Sequence, residues 1–561
     1  MSDESCAFNL IADAFFPVAT VSGARRWLTF SELRQEEGDY PVAFDWPRGD
    51  LNIAAFEFAV GVLALAYQPE DNADWTAIWR GRSDIDLDER LAALAFAFNL
   101  TGDVEGMGPR FLQDFGAIDG EANDIEALFI DTPGVNGQKK NADLLTHRGR
   151  FPALGLKAAA IALYALQQFA PSGGNGHRTS LRGGGPMTTL VWLDSLDSSI
   201  PAPLWRVLLA NLPLSSKGAG YLDDTSLERA LPWLAAIITP PGKEAPMVPQ
   251  MDDRVHALQA FFGMPRRIRL DIAGHGTCPL TGEAGPLVTG FFRSVWGVNY
   301  DSNAWRHPLT PYRQKEPGPT YSVKVKTSRF GYRDWVGAVI GRRQKLNAFP
   351  AEPVASLLIR SEAFRQSGFK ASRIVAAGWA VSSAEANCFL QSAQPLHLAE
   401  DAATADELAR LAIAFADAGD AAAGILRGNL KLALFGDGAK TATDSGVFEE
   451  ASDAFFERTE DAFHAALEAI VSDHPPDGQV SRKRWLMLIR RKALDLFDLH
   501  ATVLLAETAD IKVAMRVTEA YRRLRGALGE VGKVATALGI DQPIAPEKPK
   551  KSRKAAEEAR A

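Results

Sequence analysis

Between Pro171 and Thr189 the sequence PSGGNGHRTSLRGGGPMTT sets six glycines among 19 residues, with His177, Arg178 and Arg182 interspersed. Glycine adopts positive φ at no steric cost and lets another backbone approach closely, so such a loop suits a phosphate or a nucleic-acid groove. A Walker loop is excluded. That motif follows a strand and opens a helix with Gly-Lys-Ser/Thr, whereas here an apolar helical stretch precedes and a β-rich run follows. A surface turn punctuated by glycine gives the same composition with no ligand at all.

Two further segments carry possible chemistry. Leu128 to Arg148, LFIDTPGVNGQKKNADLLTHR, leads from an apolar entry into turn residues and the pair Lys139 and Lys140, which could hold a phosphate backbone or simply be solvated. His275 to Gly285, HGTCPLTGEAG, looks like half of a zinc ribbon, but it offers one thiolate and no second Cys pair, so no metal is expected. A metal-dependent nuclease built from His275, Asn299 and His307 is the competing enzyme reading, although scattered His and Asn are more often structural. No nucleophile elbow, HExxH, paired catalytic carboxylates or dinucleotide fingerprint is present, and no cofactor is expected.

The elements that must position these residues divide the chain. At 561 residues at least two domains are expected. From residue 1 to 395, β-rich runs such as TTLVWL (188–193) and YSVKVKT (321–327) alternate with helical stretches and Gly/Pro turns, which predicts a mixed α/β region. Residues 151–170 are apolar nearly all round, as a buried core helix should be.

From 396 to 540 the texture turns Ala-, Leu- and Glu-rich. Helical stretches near 401–435 (broken around Gly419), 448–472, 481–507 and 510–537, with short connections, predict an antiparallel four-helix bundle. The fold class is therefore α+β. In the third stretch Trp485, Leu488, Ile489, Leu496, Leu499 and Val503 share a face, with Lys483 and Arg490 roughly opposite. In the fourth, Val513, Val517, Ala520, Tyr521, Leu524 and Leu528 form the apolar stripe.

Net charge is −8, which on average repels nucleic acid, so phosphate contacts must come from local clusters. Residues 481–528 hold eleven Lys/Arg against five Asp/Glu, including Lys483, Arg490, Arg491, Arg516 and Arg523. Such a face could lie along phosphate. Residues 541–561 mix Pro with charge and read as a disordered basic tail. Cys6, Cys278 and Cys388 are odd in number and far apart, which fits a reducing cytoplasm. The acidic N-terminus and the lack of an obvious apolar run of about 18 residues argue against export or a membrane span.

Four segments in order, FNLIADAFFPV, LFIDTPGVNGQKKNADLLTHRG, SGGNGHRTSLRGGGPMTTLVW and GMPRRIRLDIAGHGTCPLTGEAGPLVTGF, resemble the CasA family. That family is the large subunit of the type I-E CRISPR Cascade complex. The resemblance implies a non-enzymatic subunit that recognises a protospacer-adjacent motif in double-stranded DNA and aids duplex opening and R-loop formation. Partners so implied are the guide CRISPR RNA, the other Cascade subunits and a docked helicase-nuclease, with no membrane. The family's loop contacting the guide and neighbouring subunits looks like Phe129, Ile130, Asp131, Lys139 and Lys140. Its motif-reading glycine loop is similar to Gly173, Gly174, Asn175 and Gly176, near Arg178. Its wedge, a short hairpin, looks like Val381, Ser382, Ser383 and Ala384. A lysine that some members place in the groove falls near Val295, with Arg293 the nearest cation.

Overall fold

The computed structural model describes residues 7–540, except 103–108, 140, 142, 144–145, 175, 198–199, 216–219, 221, 342–345, 383, 400, 437–445, 473, 504 and 506–508. Lys140, Asn175, Ser383 and the 541–561 tail, all singled out from sequence, thus lie outside the described residues. Contacts divide the chain into two compact units, Met1–Leu396 and His397–Ala561.

The first unit is mixed α/β, with several small antiparallel sheets. Strands β1 (Phe16–Thr20), β2 (Arg25–Leu28) and β3 (Pro41–Phe44) pair in the order β2-β1-β3. The short β4 (Asn123–Asp124) and β5 (Leu154–Gly155) flank β8 (Ala284–Ser294), which also pairs with β7 (Arg267–Thr277) in a long hairpin. A third sheet sets β6 (Thr188–Ser195) beside β12 (Phe369–Ser382), whose other neighbour is β13 (Glu385–Pro395). A fourth joins β9 (Tyr312–Lys315), β10 (Thr320–Ser322) and β11 (Leu346–Phe349). Of the strand expected over 321–327, only Tyr321 and Ser322 lie in β10.

Helices α1 (Gly49–Tyr67) and α2 (Leu156–Phe169) run through the middle of this unit. Both are buried nearly all round, because sheet and helix residues cover every face. Phe58 of α1 meets Phe15, Phe16, Phe98, Phe111 and Tyr164 edge-on or stacked, with ring centroids 5.5–6.0 Å apart. Each such ring contributes roughly 2–3 kcal/mol through burial alone. By length and composition α1 is apolar enough to cross a membrane, contrary to the sequence expectation. However, 89% of its apolar window is buried inside the protein. It also carries Asp50 and Glu57, both ion-paired to arginine.

The second unit contains α3 (Ala402–Phe435), α4 (Gly446–Ile470), α5 (Gly478–Phe497) and α6 (Ile511–Ala527). Helix α3 packs against each of the other three, α4 against α5, and α5 against α6. Aspartates start three of them: Asp401, Asp477 and Asp510 accept from backbone N–H groups of the first turn at 2.8–3.2 Å. An N-cap of this kind contributes about 1 kcal/mol. Gly419 does not break α3. It is buried within the helix, where packing outweighs its poor propensity of about 1 kcal/mol.

The expected apolar face of the third stretch needs one correction. Trp485, Ile489 and Leu496 are buried as expected, and Leu486, Ala493 and Phe497 join them, but Leu499 and Val503 are more than half exposed. The cause is a π-helical turn over Asp498–Thr502 directly after α5. It adds a residue to the turn and rotates everything beyond it out of phase with the core stripe. In α6, Val517, Ala520, Leu524 and Leu528 are buried, with Val513 and Tyr521 at the margin.

Candidate nucleic-acid interface

The glycine-rich segment connects α2 to β6, as its flanking patterns suggested. Its tip is a tight turn in which the His177 N–H donates to the Gly174 carbonyl at 2.8 Å and the Gly173 N–H donates to the His177 carbonyl at 3.2 Å. Gly174 and Gly176 both take positive φ, +68° and +85°. A Cβ at Gly176 would also lie 3.0–3.1 Å from Val295 and the Trp296 ring, so shape and conformation both require glycine there. The turn rests on the segment after β8: the Trp296 N–H donates to the Gly176 carbonyl at 3.0 Å.

The C-terminal stem of the segment is fixed by a buried charge network. Arg182, 1% exposed, forms a two-pronged ion pair with the fully buried Glu57 of α1, at 2.9 and 2.8 Å. Its guanidinium also donates to Thr188 and Thr310 hydroxyls, and the Thr188 hydroxyl itself donates to Glu57. The Arg182 carbonyl accepts from Ser322 and from the Lys324 ammonium, each at 2.7 Å. Burial, together with the Arg182 charge, brings that ammonium down to about 8. Such a network is costly to form and more costly to break, because removing one partner strands the other without water.

From this stem β6 pairs directly with β12, Thr188 opposite Ala377 and Thr189 opposite Ala376. The glycine segment and the hairpin are thus parts of one sheet-linked assembly. The hairpin is long rather than short, with strands of 14 and 11 residues, and Ser382 pairs with Glu385 across a two-residue tip. Two-residue hairpin turns require positive φ, and Ala384 supplies it at +65° without the freedom of glycine. Ser382 is exposed and exchanges hydrogen bonds with Asn387 at 3.0–3.1 Å.

The electrostatics around the turn are one-signed. His177, Arg178, Arg266 and exposed Arg293 gather beside it, and none of these four forms an ion pair among the described residues. His177 is held neutral, down to about 4, by burial first and then by Arg266 and Arg293. Arg266 itself falls to about 10 through burial and the Arg293 charge. Arg178 lies over the Trp296 ring at 5.0 Å and donates to the Gly242 carbonyl. Neither Arg266 nor Trp296 stood out from the sequence; nothing in their spacing signals a site.

Other sequence candidates lie differently. Phe129 is buried, packed against Phe151 with the rings tilted by 45°, and capped by the Arg48 guanidinium at 4.7 Å. Asp131 is bound by Arg48 at 3.0 Å and Arg150 at 2.9 Å. Burial alone would raise its carboxyl, but the two arginines outweigh it and hold it below the usual range. Phe129 and Asp131 therefore anchor the base of the loop rather than project from it. Lys139, at the end of a five-residue helix, is exposed.

On the second unit Lys483 and Arg491 are exposed and Arg490 half-exposed, while Arg523 pairs with Glu519 at 2.8 Å. Arg516 is turned inward. It donates to the Ala433 and Leu434 carbonyls at the end of α3, at 2.9 and 3.2 Å, so it serves as a helix cap rather than as free charge.

The three residues of the nuclease alternative sit in unlike surroundings. His275 is exposed on β7, and Asn299 spends its side-chain N–H on the Ala245 carbonyl. His307 is fully buried against Phe261, accepts from the Leu309 N–H, and is pushed well below its ordinary value by burial and Arg182. Among the described residues no group of three or more His, Cys, Asp or Glu is placed to hold a metal ion.

A mixed α/β unit with these loops, followed by a unit of long helices, has the fold of CasA. The chain is similar to CasA of Thermus thermophilus at 17% identity and a TM-score of 0.64, over 92% of this chain and 99% of that one. It is similar to Thermobifida fusca Cse1 at 16% identity and a TM-score of 0.64, over 96% and 99%. A chain of a CRISPR RNA-guided surveillance complex matches at 16% identity and a TM-score of 0.63, over 93% and 99%. The family model of CRISPR-associated protein Cse1 matches residues 9–496, and the chain belongs to that family.

Proposed function

We propose that this chain is the large subunit of a type I-E RNA-guided surveillance complex and acts as its duplex-reading and duplex-opening part. It binds the guide RNA and the other subunits, recognises an adjacent motif in double-stranded DNA and supports R-loop formation. Sequence beyond the motif is read by base pairing. A helicase-nuclease docks on the assembly and supplies the cleavage; this cytoplasmic subunit supplies none.

One observation carries the reading: the glycine turn and the serine-tipped hairpin belong to one sheet-linked assembly through β6 and β12. A turn that exposes backbone suits the minor groove, where A·T and T·A present similar acceptors and shape dominates. A narrow hairpin tip in the same sheet-linked assembly suits insertion between base pairs, which costs a few kcal/mol of unstacking per step. On the second unit, exposed Lys483 and Arg491 and half-exposed Arg490 supply charge of the sign that suits a phosphate backbone.

The test is made in the reconstituted complex with a 2-aminopurine reporter in the first base pairs of the target. Gly176→Val and a Ser382→Asp/Ser383→Asp variant each abolish motif-dependent opening, while binding to motif-free duplex is unchanged. Normal opening in both variants refutes the assignment.

A further inference from the structure

Beside the glycine turn, four cationic or potentially cationic side chains converge without a carboxylate partner among the described residues. Buried arginine is ordinarily paired, because a desolvated charge with no counter-charge is expensive. Arg266 is largely enclosed, yet it forms no ion pair among the described residues. Its guanidinium donates to the Pro171 carbonyl at 2.6 Å. Its Nε is buried and without an acceptor, as is the Nε of Arg178.

The guanidinium is also held against the turn. A Cβ at Gly173 would lie 2.7 Å from one terminal nitrogen of Arg266 and 2.8 Å from the His177 Cβ, so the guanidinium approaches the turn backbone closely. Trp296, which carries Arg178 on its face, is kept at φ +62°. For a non-glycine residue that conformation costs roughly 1–2 kcal/mol, a strain that persists only where surrounding structure enforces it. Fork-shaped donors with no carboxylate partner among the described residues, fixed beside an exposed glycine turn, match one ligand chemistry, a phosphate diester.

We infer that Arg266, flanked by Arg293 and Arg178, seats one backbone phosphate of the target duplex next to the glycine turn. This rests on the duplex-reading function proposed above. The seat sets how deeply the turn enters the groove. Arg266 both binds and positions, because its donation to Pro171 fixes the start of the same segment.

The experiment uses the reconstituted complex and target duplexes carrying single, uncharged methylphosphonate linkages stepped along both strands through the motif. With the unaltered chain, one linkage raises Kd roughly tenfold or more, as expected for loss of a charge-assisted contact. With Arg266→Gln that linkage adds no further loss, and the slope of log Kd against log salt falls by about one. Arg266→Lys restores the slope but only part of the affinity. Unchanged penalties at every linkage in Arg266→Gln overturn the inference, as does coupling confined to linkages in the guide RNA. Arg293→Gln, an exposed substitution, runs the same cycle in case Arg266→Gln fails to fold, and absence of coupling there overturns the inference equally. An unaltered complex that binds motif-bearing and motif-free duplexes alike sinks the functional reading. Motif dependence without the coupling sinks only the phosphate seat.

Discussion

Replacing Arg182 by methionine removes the cation from the most enclosed charge network in the protein. Glu57 is fully buried and Arg182 1% exposed, so neither group can be rescued by water. Among the described residues the variant leaves the Glu57 carboxylate the Thr188 hydroxyl as its hydrogen-bond donor, with His307 Nε2 3.8 Å away, and the Thr310 hydroxyl loses its contact. Breaking a buried pair from one side costs about 3–5 kcal/mol. Removing both charges together in Arg182→Met/Glu57→Leu leaves no charge stranded, only the Thr188 and Thr310 hydroxyls, and the loss shrinks. Eleven of the twelve tryptophans precede residue 397, so tryptophan fluorescence during urea unfolding follows the first unit. The expected order of midpoints is unaltered chain, then the double variant, then Arg182→Met. A loss under about 1 kcal/mol for Arg182→Met, or a double variant no better than the single, refutes the idea that this pair locks the glycine segment.

Two further outcomes follow from local geometry. Ala384→Gly relieves left-handed strain at the hairpin tip and raises the stability of the first unit by up to about 1 kcal/mol, read as a higher urea midpoint; a lower midpoint refutes it. In the second unit His397 Nε2 and His464 Nδ1 lie 3.1 Å apart. Burial holds His397 down to about 4, and burial with the neighbouring His397 holds His464 down to about 3. Both imidazoles are neutral when folded and take protons more readily when unfolded. Their contribution is therefore complete above about pH 6.5 and is lost as pH falls from there toward 4. Helical circular dichroism melts at pH 7 and pH 5 show this loss, and His464→Phe flattens it; an unchanged pH dependence in that variant counts against the pair.

Local pattern carried much of this fold. Alternation of β-rich runs and turns marked the mixed α/β unit, and glycine density between an apolar helix and TTLVWL located the turn and its direction. What escaped the sequence shares a physical origin in distance or phase. Glu57 and Arg182 are separated by 125 positions, so no window contains both. Arg266 and Trp296 reach the glycine turn only because β7 and β8 fold into one hairpin whose ends close beside it. Leu499 and Val503 obey a helical period that the π-turn interrupts. Phe129 and Asp131 carry types that suit a contact loop, but Arg48 and Arg150, one far upstream, claim both. Arg516 counts as surface charge in a composition tally, and only the end of α3 shows why it is not.

Helix α1 also bears on how the polypeptide is made. Phe15, Phe16 and Phe44 cover part of it from upstream, but the rest of its cover, from α2, β12 and β13, is synthesised later, and Gly49 meets Phe389 only when the hairpin is in place. At about 5–20 residues per second, the segment waits roughly 20–70 s on the ribosome between its own emergence and that of its last partner. During that interval a greasy stretch able to satisfy a bilayer is exposed to the cell. Sheltering of the nascent chain is therefore expected to raise the yield of this subunit in a host. Slowing translation before residue 369 should deepen the loss, and speeding it should relieve it.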